Sequence, residues 1–332
     1  MHILFYDLRE SEKSFFENKS YCDFDITFKE EALTEKTKIS DEELENTNIL
    51  CVYRSSILTE KILRKFKNLR IVATRSHGFS HIDLNYCLKN RISVINTEQY
   101  GEEAVAEFAL GVIIDITRKI KTAMMDIRSH NINPKLYEGE LLNKKTIGII
   151  GCGKVGIKLA KIANYFGMKV LVSSYKESPQ FEKVCNVVPF DTLLKESDII
   201  YLHMPFTTEN YQIIGKDEFE KMKGAVYIVN TSSVELIDLE ALYNNLLSGK
   251  VKGAALDILE SDFKKGKIQD LGNETMSTKQ NYKITEKLLD MPNVLITPHL
   301  AYNSKEYIDY VLETTFNNIR DNIKGGYTSR VC

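Results

Sequence analysis

The sequence predicts an α/β protein with two domains built on doubly wound parallel β-sheets, and three observations support this fold class. Apolar strand candidates alternate with helical segments over most of the 332 residues, which is the pattern of parallel sheets covered by helices. The strand candidates fall into two series that are separated by a long helical segment. The chain is also long enough to bury two cores of ordinary size.

The first series of strands predicts a small α/β domain. Its four members are residues 2–6, 49–53, 70–74 and 93–96. The second series predicts a larger parallel sheet, and its six members are residues 146–150, 169–173, 199–203, 225–230, 253–258 and 293–297. Short apolar runs of this kind are typical of strands that are buried on both faces.

A helical segment lies between the two series. Apolar residues recur in it at three- and four-residue spacing, and they are Val105, Ala109, Val112, Ile116, Ile120, Ala123 and Ile127. This periodicity predicts one long amphipathic helix that bridges the two domains. Its apolar face could cover a sheet or pair with a second copy of the chain, and the sequence leaves both interpretations open.

Composition and charge favour a small-molecule ligand. The formal net charge is −2 and no long run of one sign occurs, so nothing electrostatic supports a nucleic-acid or membrane-surface partner. The first residues read as a strand rather than a signal peptide, and no apolar run approaches the roughly 20 residues that span a bilayer. The six cysteines lack C-x-x-C spacing, which argues against a zinc site or a disulfide framework. A cytoplasmic location with reduced thiols is expected.

A glycine-rich loop opens the second series of strands. Residues 147–156 read I-G-I-I-G-C-G-K-V-G, directly behind an apolar strand and before a helical segment at 157–166. In a dinucleotide-binding loop, Gly151 allows the tight turn, Gly153 lets the backbone approach a pyrophosphate, and Gly156 lets the helix pack closely. A single glycine motif could be an ordinary loop, but strand, helix and second strand all follow the Rossmann pattern here. The sequence therefore predicts a dinucleotide cofactor.

Seven segments together carry a family resemblance. In chain order they are R-S-H-G-F-S-H-I-D (75–83), Y-G-E-E-A-V-A-E-F (100–108), the glycine loop, L-H-M-P-F-T-T-E-N (202–210), N-T-S-S-V-E-L-I-D (230–238), A-A-L-D-I-L-E (254–260) and T-P-H-L-A (297–301). The chain resembles the D-isomer-specific 2-hydroxyacid dehydrogenases, and in particular their D-lactate dehydrogenase branch. The resemblance implies two Rossmann-like domains, with an NAD(P)-binding domain (100–299) inserted into a flavodoxin-like substrate domain (1–99 and 300–332). It also implies a ligand cleft between the domains and a homodimer.

The same resemblance implies roles for individual residues. His299 matches the histidine that acts as general acid when a 2-oxo acid is reduced and as general base in reverse, chemistry that suits an imidazole. Asp257 matches the aspartate that contacts the nicotinamide carboxamide. Further positions match residues that line the dinucleotide, and they are Lys154, Val155, Met204, Pro205, Asn210, Thr231 and Ser232.

Two departures from the family pattern concern catalysis. Ser233 lies at the position where the family has an arginine that binds the substrate carboxylate and polarises the carbonyl. Asp262 stands where the family has the glutamate that orients the catalytic histidine. An aspartate can orient the imidazole in the same way, but its side chain is one methylene shorter and must approach from closer in. Glu260 is the less favoured alternative.

A third departure concerns the cofactor. After the second strand of the cofactor domain, NAD-specific members carry an acidic residue for the ribose hydroxyls, but this chain reads Ser173, Ser174, Tyr175, Lys176. Loss of the carboxylate removes its repulsion of a 2′-phosphate, which Ser174 and Lys176 could bind. We expect NAD(P) to be the cofactor, with NADP(H) favoured; a surface turn with Lys176 in water is the alternative.

Other residues could replace the missing arginine. Arg54 resembles a cleft-facing arginine of some family members, His77 and Gly78 lie in the loop whose backbone receives the carboxylate, and Tyr100 matches a substrate-contacting tyrosine of the D-lactate branch. Three hypotheses stay open. They are a relocated site acting on a 2-oxo acid, a reductase for a substrate without the usual carboxylate geometry, and a dinucleotide-binding sensor or partner protein with little activity.

Overall fold

The structure, a computed structural model, describes residues 1–18, 23–97, 101–130, 132–151, 153–174, 184–257 and 276–332, without the side chains of 276–282. The chain divides into two compact units. Unit 1 comprises Met1–Tyr100 and Asn303–Cys332, and unit 2 comprises Gly101–Tyr302.

Unit 1 is built on a five-stranded sheet in which every pair is parallel. Its strands are β1 (His2–Phe5), β2 (Asp25–Phe28), β3 (Thr47–Val52), β4 (Ile71–Thr74) and β5 (Ser93–Ile95). The spatial order β2-β1-β3-β4-β5 is the flavodoxin-like order. The helices of this unit are α1 (Glu10–Asn18), α2 (Asp41–Asn46), α3 (Glu60–Leu63), α4 (Leu84–Lys89) and, at the other end of the sequence, α12 (Lys305–Ile323).

Alternation along β1 shows how this sheet is buried on both faces. Ile3 and Phe5 belong to a core cluster that includes Phe316 of α12, whereas Leu4 packs on the opposite face with Val52. Successive side chains of a strand point to opposite faces, so a continuous apolar run fits a doubly covered sheet. β2 has no such run, because Asp25 and Thr27 interrupt it and no residue of it is buried; the apolar pattern did not predict this strand.

Unit 2 is built on a seven-stranded sheet, also parallel throughout. Its strands are β6 (Thr146–Ile150), β7 (Lys169–Ser173), β8 (Asn186–Val187), β9 (Ile199–Leu202), β10 (Val226–Asn230), β11 (Val251–Asp257) and β12 (Val294–Thr297). The order β12-β11-β10-β9-β6-β7-β8 is that of a dinucleotide-binding sheet with one added strand. From β6 the chain adds β7 and β8 on one side of the sheet, and it then crosses over to add β9 to β12 on the other side. Ligands bind at such a switch point between β6 and β9, outside the carboxyl ends of the strands.

Seven α-helices are described in unit 2, and core clusters lie on both faces of its sheet. They are α5 (Glu102–Arg118), α6 (Ile120–Arg128), α7 (Lys154–Tyr165), α8 (Phe190–Glu196), α9 (Lys216–Lys221), α10 (Leu239–Leu247) and α11 (Met276–Leu289). None of the described helices is both long enough and apolar enough to cross a membrane.

The prediction of one long helix between the two series of strands was wrong. The helix breaks at Lys119, whose φ of 55° is left-handed, so that α5 ends at Arg118 and α6 begins at Ile120. Apolar residues of α5 such as Ile116 are buried, but Ile120 and Ile127 of α6 are exposed. The three- and four-residue spacing continues through the break, which is why periodicity alone did not reveal it.

Candidate active site

At two positions of the glycine loop after β6, only glycine fits the backbone conformation or the space that is available. Gly151 has a φ of 90°, and a Cβ there would lie 2.5 Å from the His203 carbonyl oxygen. A Cβ on Gly156 would lie 2.8 Å from the Gly151 carbonyl oxygen, so the glycine lets α7 approach the loop. Gly153 has open space around its Cβ position. The loop thus has the backbone shape and the free space that a pyrophosphate needs.

The amino end of α7 supplies the donors for that pyrophosphate. Lys154 and Val155 are the first residues of this 12-residue helix, and the amides of a first turn have no acceptor inside their own helix. They also lie at the positive end of the helix dipole, where anions bind. The Lys154 ammonium pairs with Glu102 at 3.2 Å, and its backbone amide lies in the first turn of the helix, where it can donate to a phosphate.

The carboxyl end of β7 carries hydroxyls at the described positions. Ser173 ends the strand and Ser174 follows it, so no carboxylate stands at either place. Tyr175 and Lys176, which the sequence placed beside the same ribose, lie outside the described residues.

The loop after β9 is organised by Asn210. This buried side chain accepts a hydrogen bond from the Thr207 amide at 2.7 Å and donates one to the Pro205 carbonyl at 2.9 Å. Its polar atoms therefore hold the loop that carries Met204 and Pro205. The contact of Asn210 with the dinucleotide stays a prediction.

A hydrogen-bonded network that the sequence did not predict lies at the ends of β9 and β10. The Thr231 hydroxyl lies 2.7 Å from the Tyr201 hydroxyl and 3.1 Å from His203 Nδ1, and the Tyr201 and His203 rings are nearly parallel. Burial lowers the pKa of the His203 imidazole to about 4, so this ring is neutral at physiological pH. His203 was visible in the L-H-M-P segment, but its role depends on a partner 28 residues away.

The loop after β10 is held by a buried asparagine. Asn230 Oδ1 accepts hydrogen bonds from the amide and the hydroxyl of Ser232, both at 2.9 Å, and its Nδ2 donates to the Ser233 carbonyl at 2.8 Å. Ser233 is half-buried, and its hydroxyl makes no hydrogen bond to any residue in the described part of the chain. The position at which the resemblance implies an arginine thus lies in a loop held by Asn230 and is uncharged.

Asp257 fixes the segment that contains His299. The aspartate is only 3% exposed, and its carboxylate accepts hydrogen bonds from the Thr297 hydroxyl at 2.6 Å and from the Leu300 and Ala301 amides at 2.7 and 2.8 Å. These donors flank His299 on both sides. Asp257 therefore positions the histidine backbone, a role that its predicted contact with the carboxamide did not include.

His299 lies just beyond β12 in an unusual backbone conformation. Its φ is 56°, its amide donates to the Thr297 carbonyl at 3.0 Å, and its ring meets Tyr302 edge-on with 5.2 Å between centroids. Non-glycine residues with positive φ are uncommon and are often found at functional sites. Asp262, the acid predicted to orient this imidazole, lies outside the described residues.

The parallel sheet of unit 2 gathers most of the predicted residues at one edge. Because carboxyl ends of parallel strands meet at the same edge, the segments after β6, β7, β9, β10, β11 and β12 share it. They carry Gly151, Gly153, Ser174, Met204, Thr231, Asp257 and His299. A glycine-shaped phosphate loop and a fixed histidine on one edge suit a dinucleotide-dependent reaction that also needs proton transfer.

In unit 1, two of the predicted substrate-binding loops follow β3 and β4. Arg54 is exposed just after β3, and His77 is exposed in the loop after β4. That loop is held by the Ser76 hydroxyl, which donates to the Gly78 carbonyl at 2.6 Å, and by Asn96, which donates to the His77 carbonyl at 2.8 Å. Within the described residues, the His77 and Gly78 amides have no hydrogen-bond acceptor. Tyr100 lies outside those residues.

Known proteins match this chain over most or all of its length. The family described as "D-isomer specific 2-hydroxyacid dehydrogenase, NAD binding domain" matches residues 110–301. An aromatic 2-oxoacid reductase of Clostridium sporogenes is 35% identical over 275 residues, covering 81% of this chain and 82% of that protein. The D-lactate dehydrogenase of Escherichia coli is 30% identical and covers 98% of both chains.

A solved structure of a D-lactate dehydrogenase has the same fold as this chain. The structure of Salmonella D-lactate dehydrogenase superposes with a TM-score of 0.87 at 28% identity and covers 100% of both chains. The fold class and the family resemblance expected from the sequence are confirmed. This chain belongs to the D-isomer specific 2-hydroxyacid dehydrogenase family and is an oxidoreductase.

Proposed function

We propose that this protein reduces a 2-oxo acid to the 2-hydroxy acid, with His299 as the proton donor, and that it runs the reverse reaction with His299 as the base. The observation that carries the proposal is the segment around His299, which Asp257 fixes through Thr297, Leu300 and Ala301 at the sheet edge that also bears the glycine loop. The bound nicotinamide would supply or accept the hydride. His299 would give its proton to the carbonyl oxygen, and Asp262 remains the proposed partner of the imidazolium.

The substrate carboxylate needs a replacement for the family arginine, since Ser233 carries no charge. We propose that unit 1 provides it through Arg54 and the loop of His77 and Gly78, whose two amides are available donors, with Tyr100 as a further contact. In this assignment unit 1 binds the substrate and unit 2 binds the dinucleotide, as the resemblance implies for the predicted domains 1–99 with 300–332 and 100–299.

The experiment is nicotinamide oxidation at high enzyme concentration with short, branched and aromatic 2-oxo acids, using NADH and NADPH in parallel. Turnover with any of these acids supports the proposal. If the cofactor binds and no 2-oxo acid is reduced, the proposal is wrong. The absence of a cationic side chain at position 233 then favours the second candidate function, a dinucleotide-binding protein without this activity.

We also propose that NADPH is used at least as well as NADH, because Ser173 and Ser174 leave no carboxylate at the described end of β7. Replacing Ser174 with Asp should shift the preference toward NADH by about tenfold or more, since a carboxylate repels a 2′-phosphate and accepts hydrogen bonds from ribose hydroxyls. Dissociation constants for both cofactors measure this, with Ser174→Asn as the uncharged control. A tenfold preference of the unmodified protein for NADH would contradict the proposal.

A second copy of the chain is the proposed partner of an exposed apolar surface on unit 2. The surface lies on α6 and the segment after it, and its exposed residues are Ile120, Met124, Met125, Ile127, Ile132, Leu136 and Leu141. Exposed apolar side chains concentrated on one helix and the segment after it suit an interaction site on a protein. Light scattering during gel filtration should give twice the chain mass of 38.1 kDa. A variant with both Met124→Glu and Ile127→Glu should have the mass of one chain, because the new charges would disrupt the apolar interface.

A cytoplasmic location completes the proposal. Among the described cysteines, Cys51, Cys87 and Cys332 are free thiols, as is usual in a reducing compartment.

A further inference from the structure

A chain of side-chain hydrogen bonds connects His81 to the loop after β4. His81 Nε2 lies 3.1 Å from the Thr74 hydroxyl, which lies 2.8 Å from the Ser76 hydroxyl. The Ser76 hydroxyl lies 2.6 Å from the Gly78 carbonyl oxygen. Thr74 and Ser76 are buried and His81 is half-buried, so water does not compete for the two hydroxyls. We call the side chains of His81, Thr74 and Ser76 the His81 relay.

The direction of the hydrogen bonds in the relay follows from its last contact. A carbonyl oxygen can only accept, so the Ser76 hydroxyl donates to Gly78. The Ser76 oxygen then accepts from the Thr74 hydroxyl, and the Thr74 oxygen accepts from His81 Nε2. The three contacts are satisfied together in this arrangement, which requires a proton on His81 Nε2. Hydrogen bonds in such a chain polarise one another, so the imidazole strengthens the bond to the Gly78 carbonyl.

The charges around His81 agree with this arrangement. Burial lowers the pKa of the His81 imidazole, the nearby Arg54 charge acts in the same direction, and Asp7 opposes both. The ring is therefore neutral at physiological pH and has one N–H, which the relay places on Nε2. Arg54, the cation proposed for the substrate carboxylate, lies near enough to His81 for its charge to act on the ring.

The relay holds one of the two peptides that flank Gly78. The His77 carbonyl accepts from the Asn96 side chain, and the Gly78 carbonyl accepts from Ser76. Because an amide N–H points away from the carbonyl of its own trans peptide, these bonds set the directions of the Gly78 and Phe79 amides. Within the described residues, nothing lies within 4 Å of the Cβ position of Gly78, and glycine has a very free backbone. Hydrogen bonds rather than packing therefore hold this glycine.

We propose that His81 is a positioning residue that acts through Thr74 and Ser76 to hold the Gly78 peptide, so that the loop after β4 presents its amides to the substrate carboxylate. The inference rests on the proposed function, which assigns the carboxylate to this loop. It goes further by naming the side chains that keep the loop in its binding conformation. His81 touches no reacting atom in this assignment.

Breaking the relay should raise KM for the 2-oxo acid that is turned over fastest by about three- to tenfold, the value of one net hydrogen bond. Thr74→Val and His81→Leu each break it. kcat should change by less than about twofold, because amides that hold the carboxylate bind the ground state and the transition state equally. Damage to the fold alone would lower the amount of active protein, and hence kcat, while KM stayed the same.

Two further variants test whether His81 and Thr74 act as one chain. His81→Gln keeps an N–H donor at a similar reach and should leave KM within about twofold of that of the unmodified protein. His81→Leu combined with Thr74→Val should raise KM no more than either change alone, because the chain is already broken. An unchanged KM in Thr74→Val, or effects that multiply in the double variant, would overturn the inference.

The control variant is Thr27→Val. The Thr27 hydroxyl lies 2.9 Å from His2 Nε2, so the pair resembles that of Thr74 and His81. His2 is the first residue of β1, at the amino edge of the same sheet, whereas the loop after β4 lies at the carboxyl edge. KM should therefore stay unchanged in Thr27→Val, and an equal rise in both valine variants would count against a specific role for the relay.

Nuclear magnetic resonance tests the relay without turnover. In protein labelled with 15N-histidine at about pH 8, the His81 signals are those missing from His81→Gln, and they should show the Nε2–H tautomer. A proton on Nδ1 instead would overturn the inference.

Calorimetry separates failure of the inference from failure of the proposed function. If no 2-oxo acid is turned over, the proposed function is wrong, but binding of pyruvate to the full-length protein with NADH is still measurable. Binding that is about three- to tenfold weaker in Thr74→Val, and unchanged in Thr27→Val, supports the role of the relay. Equal affinity in the unmodified protein and Thr74→Val, or no binding to either, overturns it.

Discussion

Replacing His299 with Ala should lower kcat for 2-oxo acid reduction by about a hundredfold to ten-thousandfold, the usual contribution of a positioned general acid. The dissociation constant for the dinucleotide should change by less than about twofold, because the groups assigned to the phosphates belong to the loop after β6 and the first turn of α7. Stopped-flow single turnovers with pre-bound reduced cofactor measure the chemical step directly.

Backbone strain must be separated from the loss of the imidazole. His299 has a φ of 56°, a conformation that asparagine tolerates better than alanine does. His299→Asn should therefore lose the same activity while keeping the stability of the unmodified protein. His130 has a φ of 57° and is exposed, so His130→Ala controls for the backbone effect alone. Full turnover in His299→Asn would show that His299 is not the proton donor.

The sequence predicted the architecture wherever strands are central. β6, β7 and β10 are short, mainly apolar runs, and most of their residues are buried, so hydrophobicity identifies them in the sequence. β2 and β8 lie at the edges of their sheets and contain no buried residue. An edge strand that packs little apolar surface leaves no such mark, which explains why both were missed.

Within the site, the sequence predicted what depends on local sterics. Gly151 and Gly156 are identifiable because a Cβ at either place would collide with nearby backbone. The positioning role of Asp257 was not predicted, because it depends on bonds to residues 40 to 44 positions further along the chain. The left-handed Lys119 was missed for a different reason, since nothing in the apolar spacing around it changes.

Replacing Ser233 with Arg should raise kcat/KM for 2-oxo acids with a single carboxylate by about a hundredfold or more. A preorganised cation or donor aimed at the developing oxyanion is commonly worth that much in the transition state, and an arginine can also hold a carboxylate with two parallel hydrogen bonds. The loop can receive the change, because Asn230 holds it through the Ser232 amide and the Ser233 carbonyl. The Ser233 hydroxyl has no hydrogen bond within the described chain that would be lost.

Two matched variants decide what a gain would mean. Ser233→Lys supplies charge without the planar fork and should recover only part of the rate, whereas Ser233→Gln supplies length without charge and should recover little. An increase in kcat with a smaller change in KM would place the new guanidinium on the transition state, and an effect on KM alone would place it on ground-state binding. If the folded Ser233→Arg protein shows no gain with any single-carboxylate acid, the carbonyl is not presented to that loop. Orientation of the substrate would then depend on unit 1, where Arg54 is the cation that we propose for the substrate carboxylate.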